Sequence, residues 1–308
     1  MINIIVPIKD NEKHILPFFI SLKKAIDYAN VKKWMLYFSL NGCKDNSMEI
    51  VKKLKRRYNN IKILYQSEPS KIRAQDLAVR SIKNNGLLIF IDCDVIIDKE
   101  SIYNIQYIFK QHRNILVVGG LPLPFKVNLK ELSLIRKLKY YILNFSSIFY
   151  HSKIPKYTLN SNSSNLRNYF HGRIFALRSK RYWLIKDFDF PDDIQLIDLI
   201  YEKFGLNTFI FSDKIRCYYE PYLSFKKDFL SHLRAYFFLK DFYLRYPHLK
   251  RFKRYFILKY NLKYIKTLPH RYKVAFLFSC LWTLLRDKIY FLIYLAMRKK
   301  KNGNDLWR

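Results

Sequence analysis

Residues 87–97 read LLIFIDCDVII: a solid apolar run, Leu87 to Ile91, meets two aspartates one residue apart, Asp92 and Asp94, and then turns apolar again. A short apolar run without polar alternation is the pattern of a strand buried on both faces, and such strands occupy the middle of parallel sheets. A strand of this kind commits the chain to an α/β architecture, because parallel neighbours need crossover helices covering the sheet. The carboxylates that end it add a second constraint. Charges at the end of a buried strand are costly unless partnered, and a hard divalent cation is a suitable partner for two carboxylates. Ligands of open α/β sheets also bind at the carboxyl ends of the strands. Asp92 and Asp94 are therefore the first candidate site residues; the bland alternative is a surface turn.

The preceding residues alternate strand and helix signals. Strands are expected over Asn3 to Ile8, Trp34 to Leu40, Ile61 to Tyr65 and Leu87 to Asp92, with helices over Pro17 to Ala29, Ser47 to Tyr58 and Ile72 to Lys83. That order predicts βαβ units and a mainly parallel sheet flanked by helices. Local punctuation agrees: Pro17 suits a first helical turn, Asn41-Gly42 a tight turn, and Asp45 or Asn46 a helix cap. After Val117-Val-Gly-Gly120 the pattern becomes irregular, and residues 122–168 read as an inserted loop-and-helix segment. Regular signals return at Gly172 to Arg178. The composition shifts near residues 215–225, dividing an α/β region, 1–220, from a basic, aromatic helical region, 221–308.

A chain of 308 residues can bury a full α/β core and carry a further region. Its four cysteines, Cys43, Cys93, Cys217 and Cys280, have neither disulfide-framework nor zinc-ligand spacing, which suits a reducing cytoplasm. Met1 runs straight into an apolar strand with no export signal in view. The formal charge of +33 is unevenly spread: residues 1–125 hold 20 basic and 11 acidic side chains, residues 222–308 hold 21 and 4. A field of that sign attracts nucleic acid, anionic lipid or phosphorylated substrate, and charge alone does not choose among them. Two apolar blocks near the C-terminus, Val274 to Leu285 and Ile289 to Met297, are each too short to span a bilayer and are split by Arg286, Asp287 and Lys288. With Trp282, Tyr290 and Tyr294 beside Lys299 to Lys301, they suggest a segment lying on an anionic membrane surface, or else helices packed on the core.

Several further side chains fall where the C-terminal edge of the sheet is expected: Pro7, Asp10 and Glu12 after the first strand, Asn41 after the second, and Lys71 and Asp76 ahead of the Asp92 strand. Val6-Pro-Ile-Lys-Asp-Asn-Glu12 resembles the V-P-x-Y-N-x-E opening of family 2 glycosyltransferases. Ser39 to Ser47 resembles that family's (D/N)-G-(S/C)-T-D-x-(S/T) turn, and Lys71-Ile-Arg-Ala-Gln-Asp76 its G-K-x-x-A-x-N segment. Asp92-Cys-Asp94 then falls at its D-x-D, Gly172 to Arg178 is similar to its G-R-x-x-A-x-R, and Pro191-Asp192-Asp193 to its acceptor motif. The chain departs from the pattern at Lys9, where an aromatic residue is common, at Asn41, which replaces a frequent aspartate, and at Gln75-Asp76. The family's Q-x-x-R-W element is represented at best by Ser231-His-Leu-Arg234-Ala.

The resemblance implies the GT-A fold, covering roughly residues 2–210, and transfer of a sugar from a nucleoside-diphosphate sugar to a hydroxyl acceptor. It implies a Mn²⁺ or Mg²⁺ cofactor held by Asp94, with Asp92 on the ribose, the sugar or a metal-bound water. Pro7, Ile8, Glu12 and Asn41 would hold base and ribose, with Asp76 also in the donor pocket and Lys71 countering phosphates. Asp193 would be the general base and Asp192 would position the acceptor; aspartates before a helix are also common caps. Residues 1–100 would form the nucleotide-sugar half and 101–220 the acceptor half. Inversion at the anomeric carbon, a glycan or lipid-linked acceptor and a cytoplasmic location on the inner membrane face follow as expectations. His171 and His232 are weaker candidates for phosphate or metal.

Two rival readings start from the same residues. Asp92-Cys-Asp94 resembles the short motif of haloacid dehalogenase phosphatases, although that motif normally ends the first strand of its fold and here two or three βα units precede it. The interleaved cations and aromatics of Tyr236 to Tyr243 and Arg251 to Phe256 also suit a single-stranded nucleic-acid binder, yet no recognition motif accompanies them.

Overall fold

The computed structural model describes residues 1–125, 128, 131–145, 171–185, 187–188, 192–248, 281–282, 285 and 288–293. The inserted segment from residue 146 to 170, Pro191, the stretch 249–280, Arg286, Asp287, Tyr294 and the Lys299 cluster lie outside them.

Two compact units form. The first comprises Met1–Phe125 and Ser147–Glu220 with Arg251–Tyr255; the second comprises Lys126–Ser146, Pro221–Lys250 and Phe256–Arg308. The first unit contains eight strands, β1 (Ile2–Ile8), β2 (Trp34–Asn41), β3 (Ile61–Gln66), β4 (Leu87–Ile91), β5 (Val95–Ile97), β6 (Val117–Pro124), β7 (Ile174–Leu177) and β8 (Phe209–Tyr219). They form one sheet in the order β3-β2-β1-β4-β7-β6-β8-β5. The pairs β1–β2, β1–β4, β2–β3 and β6–β8 are parallel, whereas β4–β7, β6–β7 and β5–β8 are antiparallel. Every residue of β1 is buried, as a mostly apolar central strand requires, and the one polar side chain, Asn3, donates to Asn84 Oδ1 at 2.8 Å. Pro7 is tolerated within this central strand because pairing with β4 ends at Ile5↔Phe90, so its missing N–H costs no ladder bond on that side.

The helices of this unit are α1 (Glu12–Tyr28), α2 (Ser47–Arg57), α3 (Lys71–Ser81), α4 (Ser101–Gln111) and, after the next unit's α5 (Leu134–Phe145), α6 (Asp192–Phe204). Helix α1 begins five residues before Pro17, which lies inside it; the carbonyl of Lys13 that would lose its donor is on the exposed face. Helix α6 likewise begins at Asp192, so both aspartates belong to its first turn rather than preceding it. One core cluster brings α3 and α6 to the same face of the sheet: Ile72, Ala78 and Val79 meet Leu196, Ile197 and Ile200 over Ile5, Phe90 and Phe175. Phe90 stacks on Phe175 at 4.6 Å and on Trp183 at 4.9 Å, fastening β4 to β7.

In the second unit α5 and α7 (Phe225–Arg245) are joined through Asn144, which donates to the carbonyls of Tyr140 and Tyr222 and accepts from the Tyr222 N–H at 3.0 Å. The buried Asp228 accepts from the Trp282 indole at 2.9 Å and lies 3.2 Å from His232 Nδ1. Tyr290, one of the aromatics read either as an interfacial belt or as part of a helix packed on the core, is buried and donates to the Phe229 carbonyl at 2.6 Å. Among the described residues no helix is long and apolar enough to cross a membrane.

Candidate active site

The D-x-D pair forms a corner. Strand β4 ends at Ile91 and β5 starts at Val95, and the two pair with different partners: β4 with β7, in the register Ile91↔Ile174, and β5 with β8, in the register Val95↔Tyr219. The antiparallel β4–β7 pairing therefore sets Gly172 and Arg173, just ahead of β7, beside Asp92, whose N–H donates to the Arg173 carbonyl at 3.0 Å. Asp92 is half-buried and Asp94 exposed.

Helix α3 supplies the partner charge. Ser70 caps it, accepting from the Arg73 N–H, so that Lys71 opens the helix at the strand ends. The Lys71 ammonium lies 2.7 Å from Asp92 Oδ1, 3.6 Å from Asp192 Oδ2 and 3.4 Å from the Gly172 carbonyl. One turn later on the same helix face, Gln75 Nε2 donates to Asp192 Oδ2 at 2.7 Å. Asp193 Oδ2 accepts from the Gly172 N–H at 3.2 Å. A Cβ at residue 172 would stand 3.3 Å from Lys71 Nζ and 3.4 Å from an Asp192 carboxylate oxygen, so glycine keeps this junction open.

Burial pushes the Asp92 carboxyl up from 3.8 to about 6; Lys71 opposes that rise and the neighbouring charge of Asp94 adds to it. Lys71 is held firmly protonated: burial lowers its pKa, but the charges of Asp192 and Asp92 more than offset this. Asp192 is 3% exposed, whereas Asp193 is half-buried.

The strand ends β1 and β2 provide a second, adjoining lining. Asn41 is buried at the end of β2, and neither its Oδ1 nor Ser39 Oγ has a hydrogen-bond partner among the described residues. Gly42 adopts φ +66°, where a Cβ would strike the Ser67 carbonyl at 2.7 Å, so the turn requires glycine. Pro7 and Ile8 are buried opposite Ser39 and Leu40. Glu12 Oε2 accepts from both the backbone and side-chain N–H groups of Asn46, while its own N–H donates to Asp45 at 2.9 Å, clasping the two turns together. Asp45 also accepts from the Ser47 N–H and thus caps α2 by a local turn, whereas the Asn46 side chain makes no cap bond.

The expected residues thus separate into groups. Asp92, Lys71, Asp192 and Asp193 converge with Asp94 at one corner. Asp76 points elsewhere: its two oxygens accept from Arg80 at 2.6 Å and from the Trp183 indole at 3.1 Å, an ion pair that braces α3. His232 belongs to the second unit and pairs with Asp228. Sequence reasoning missed Gln75 and Gly172 as members of the cluster. The i, i+4 spacing of Lys71 and Gln75 was the available signal.

Asp10, Cys43 and Asp45 approach within 4.8 Å of one another. Their polar atoms already fix the loops: Asp10 accepts from the Lys44 N–H, Asp45 from Glu12 and Ser47, and the Cys43 thiol donates to the Ile8 carbonyl. By contrast Asp92 and Asp94 offer two hard oxygen ligands and no thiol, the donor type that Mg²⁺ and Mn²⁺ prefer.

Several solved structures resemble the chain, and the first of them shares its fold. A mannosyltransferase from Pyrobaculum calidifontis, determined with GDP-Man and Mn²⁺, matches 98% of this chain and 81% of its own, at 11% identity and TM-score 0.57. TarS 1–349 of S. aureus matches over 90% and 78%, at 15% identity and TM-score 0.48. Glucosyl-3-phosphoglycerate synthase of Mycobacterium tuberculosis, determined with Mn²⁺, UDP-Glc and phosphoglyceric acid, matches over 74% of each chain, at 13% identity and TM-score 0.45. No curated protein matches the sequence. The model of glycosyl transferase family 2 matches residues 3–182, the span that carries β1 to β7, the D-x-D corner and Lys71, and the chain belongs to that family.

Proposed function

We propose that the chain transfers a sugar from a nucleoside-diphosphate sugar to a hydroxyl acceptor by a metal-dependent, inverting displacement. One observation carries this reading: a single ammonium, Lys71, binds Asp92 of the D-x-D corner and approaches Asp192 of the helical aspartate pair, so donor-side and acceptor-side carboxylates share one crevice. Cleaving a sugar from a diphosphate builds negative charge on the leaving phosphates. A Mn²⁺ or Mg²⁺ ion held by Asp94, with Asp92, would supply Lewis-acid neutralisation of that charge. Such ions commonly take one or two protein carboxylates and leave the remaining positions to substrate oxygens and water, which suits a site with two aspartates. The Pyrobaculum mannosyltransferase, with its GDP-Man and Mn²⁺, supports this assignment.

Asp193 is the general base in this reading. It is the more accessible of the pair, and the Gly172 N–H holds its carboxylate in place in the first turn of α6. Asp192, buried and tied to Gln75, positions the acceptor edge of the site. Pro7, Ile8 and Asn41 line the nucleoside pocket, with Asn41 Oδ1 an acceptor awaiting a donor, and Glu12 shapes it by holding the two turns. The test is Asp193→Asn: nucleotide-sugar binding stays within about twofold of wild type while transfer falls by roughly 10²- to 10⁴-fold, the span of general-base catalysis. Normal transfer by Asp193→Asn would show that the base lies elsewhere.

The acceptor in this reading is a glycan or lipid-linked sugar at an anionic membrane surface. The second unit supports it by exposing Leu230, Leu244, Leu281, Leu285, Phe291 and Leu292 on a strongly basic segment. Full-length protein should sediment with anionic but not neutral vesicles, and Leu285→Glu with Leu292→Glu should release it; unaltered sedimentation of that variant would contradict the assignment.

A further inference from the structure

Buried polar atoms in folded proteins are nearly always hydrogen-bonded, so an exception calls for a reason. Gln75 carries one inside the aspartate cluster. The residue is 1% exposed, its Nε2 donates to Asp192 Oδ2 at 2.7 Å, and its Oε1 has no hydrogen-bond partner among the described residues. A carboxylate only accepts, which fixes the amide with its nitrogen towards Asp192 and leaves the oxygen as the idle acceptor. Position 75 is also one of those at which the chain departs from the family pattern.

Lys71 opens the same helix face one turn earlier, at the spacing where helical side chains meet. Its ammonium is hydrogen-bonded to Asp92 Oδ1 at 2.7 Å but stands 3.6 Å from Asp192 Oδ2, beyond hydrogen-bond length. The Lys71 side chain is 36% exposed, so a charge carried on a flexible four-carbon stem has room to turn. Its present position conflicts with the metal site proposed above. A divalent ion on Asp92 and Asp94 would share the Asp92 carboxylate with the ammonium, and two positive charges that close repel. The ammonium then needs other acceptors, and Asp192 Oδ2 and Gln75 Oε1 supply one charged and one neutral oxygen on the side away from the D-x-D.

We propose that Lys71 has two positions, on Asp92 when the D-x-D corner is free of metal and on Asp192 and Gln75 when a divalent ion takes Asp92, and that Gln75 is the positioning residue that builds the second. This rests on the metal-dependent transferase reading above. The device links the two halves of the site: binding on the donor side delivers a counter-charge to Asp192, next to the base Asp193. By reciprocity, whatever draws Lys71 towards Asp192 favours metal on Asp92.

The test is a double-mutant cycle on metal affinity, which needs no acceptor. Mn²⁺ is titrated calorimetrically, in excess GDP and separately in excess UDP, into wild type, Gln75→Leu, Lys71→Met and the double variant, with thermal unfolding confirming that each is folded. The Gln75 bond to Asp192 is lost with and without metal and cancels, so only the service of Gln75 to Lys71 is read. Gln75→Leu should weaken Mn²⁺ binding roughly tenfold, the lower end for a hydrogen bond to a charged group, because water can reach part of Lys71. Lys71→Met should tighten Mn²⁺ binding, and adding Gln75→Leu to it should change nothing further. Weakening of the same size without Lys71, or none with it, overturns the two-position role and leaves the transferase reading standing. Crystal structures of wild type with and without Mn²⁺ and nucleotide check the same point with no substitution: Lys71 should bind Gln75 Oε1 with the metal and Asp92 without it. An ammonium still on Asp92 beside the metal overturns the inference. Wild type that binds no Mn²⁺ with either nucleotide overturns the metal-dependent reading and the inference with it.

Discussion

The Asp92 carboxyl is raised to about 6 because β4 delivers it into a corner where burial penalises its charge and Asp94 adds to the rise, while the ammonium of Lys71 opposes it. A carboxyl whose folded pKa exceeds its unfolded 3.8 stabilises the fold most below that lower value, and its contribution is lost as pH rises through about 6. Carbon-13 NMR titration of Asp92 in the metal-free protein should therefore give a midpoint near 6. Asp94→Asn should lower it and Lys71→Met should raise it; a midpoint at the ordinary carboxylate value would contradict the enclosure described for this residue. Asp92 and Asp94 were legible in the sequence because an apolar run that stops at charges must find partners for them, whereas the role of Lys71 was reached only through the resemblance of residues 71–76 to a family segment, as a counter-charge to phosphate and not to Asp92. Gln75 was not legible, since helix spacing shows that it shares a face with Lys71 but cannot show that Asp192, 117 residues away, meets that face. Asp76 drew notice for the same local reason, and only tertiary contacts commit it to Arg80 and Trp183.

Among the elements, β7 does the most to assemble the site, because its antiparallel pairing with β4 brings Gly172 and Arg173 to Asp92. The same strand runs into Arg178, the last residue of the G-R-x-x-A-x-R stretch. Its guanidinium donates to the carbonyls of Phe109, His112 and Ile115, closing the C-terminal end of α4 where carbonyls lack helical partners. Arg178→Met should lower stability by about 2 kcal/mol in urea unfolding, with nucleotide affinity unchanged, since carbonyls would lose a charged donor; wild-type stability would show that water replaces the guanidinium without loss. The first four strands could be read from sequence because each is a local apolar run. The three-residue β5 and its partner β8 could not: their pairing joins residues more than 110 positions apart, and no local pattern encodes it. The start of α1 was misjudged because Pro17 marks a favoured first turn, yet the apolar spacing of Ile15, Phe18, Phe19 and Leu22 extends the helix past it.

At the scale of the molecule, the composition shift near residue 220 coincides with the passage from Glu220 to Pro221 between the two units, but Lys126–Ser146 joins the second unit from the middle of the sequence. That segment gave no compositional sign of its allegiance, because Asn144 finds its partner in Tyr222 only once the chain is folded. The sheet, its helices and the converging aspartates make one claim testable above the rest, that the D-x-D corner binds a nucleoside diphosphate through a divalent ion. The direct measurement is a thermal-shift screen of nucleoside diphosphates and nucleotide sugars, with and without Mn²⁺, on wild type and Asp94→Ala, because a ligand that binds only the folded state raises its melting temperature. A shift that requires Mn²⁺ and disappears in Asp94→Ala is the predicted result. A shift of equal size in Asp94→Ala, or none with any nucleotide in wild type, would contradict the site described at the end of β4.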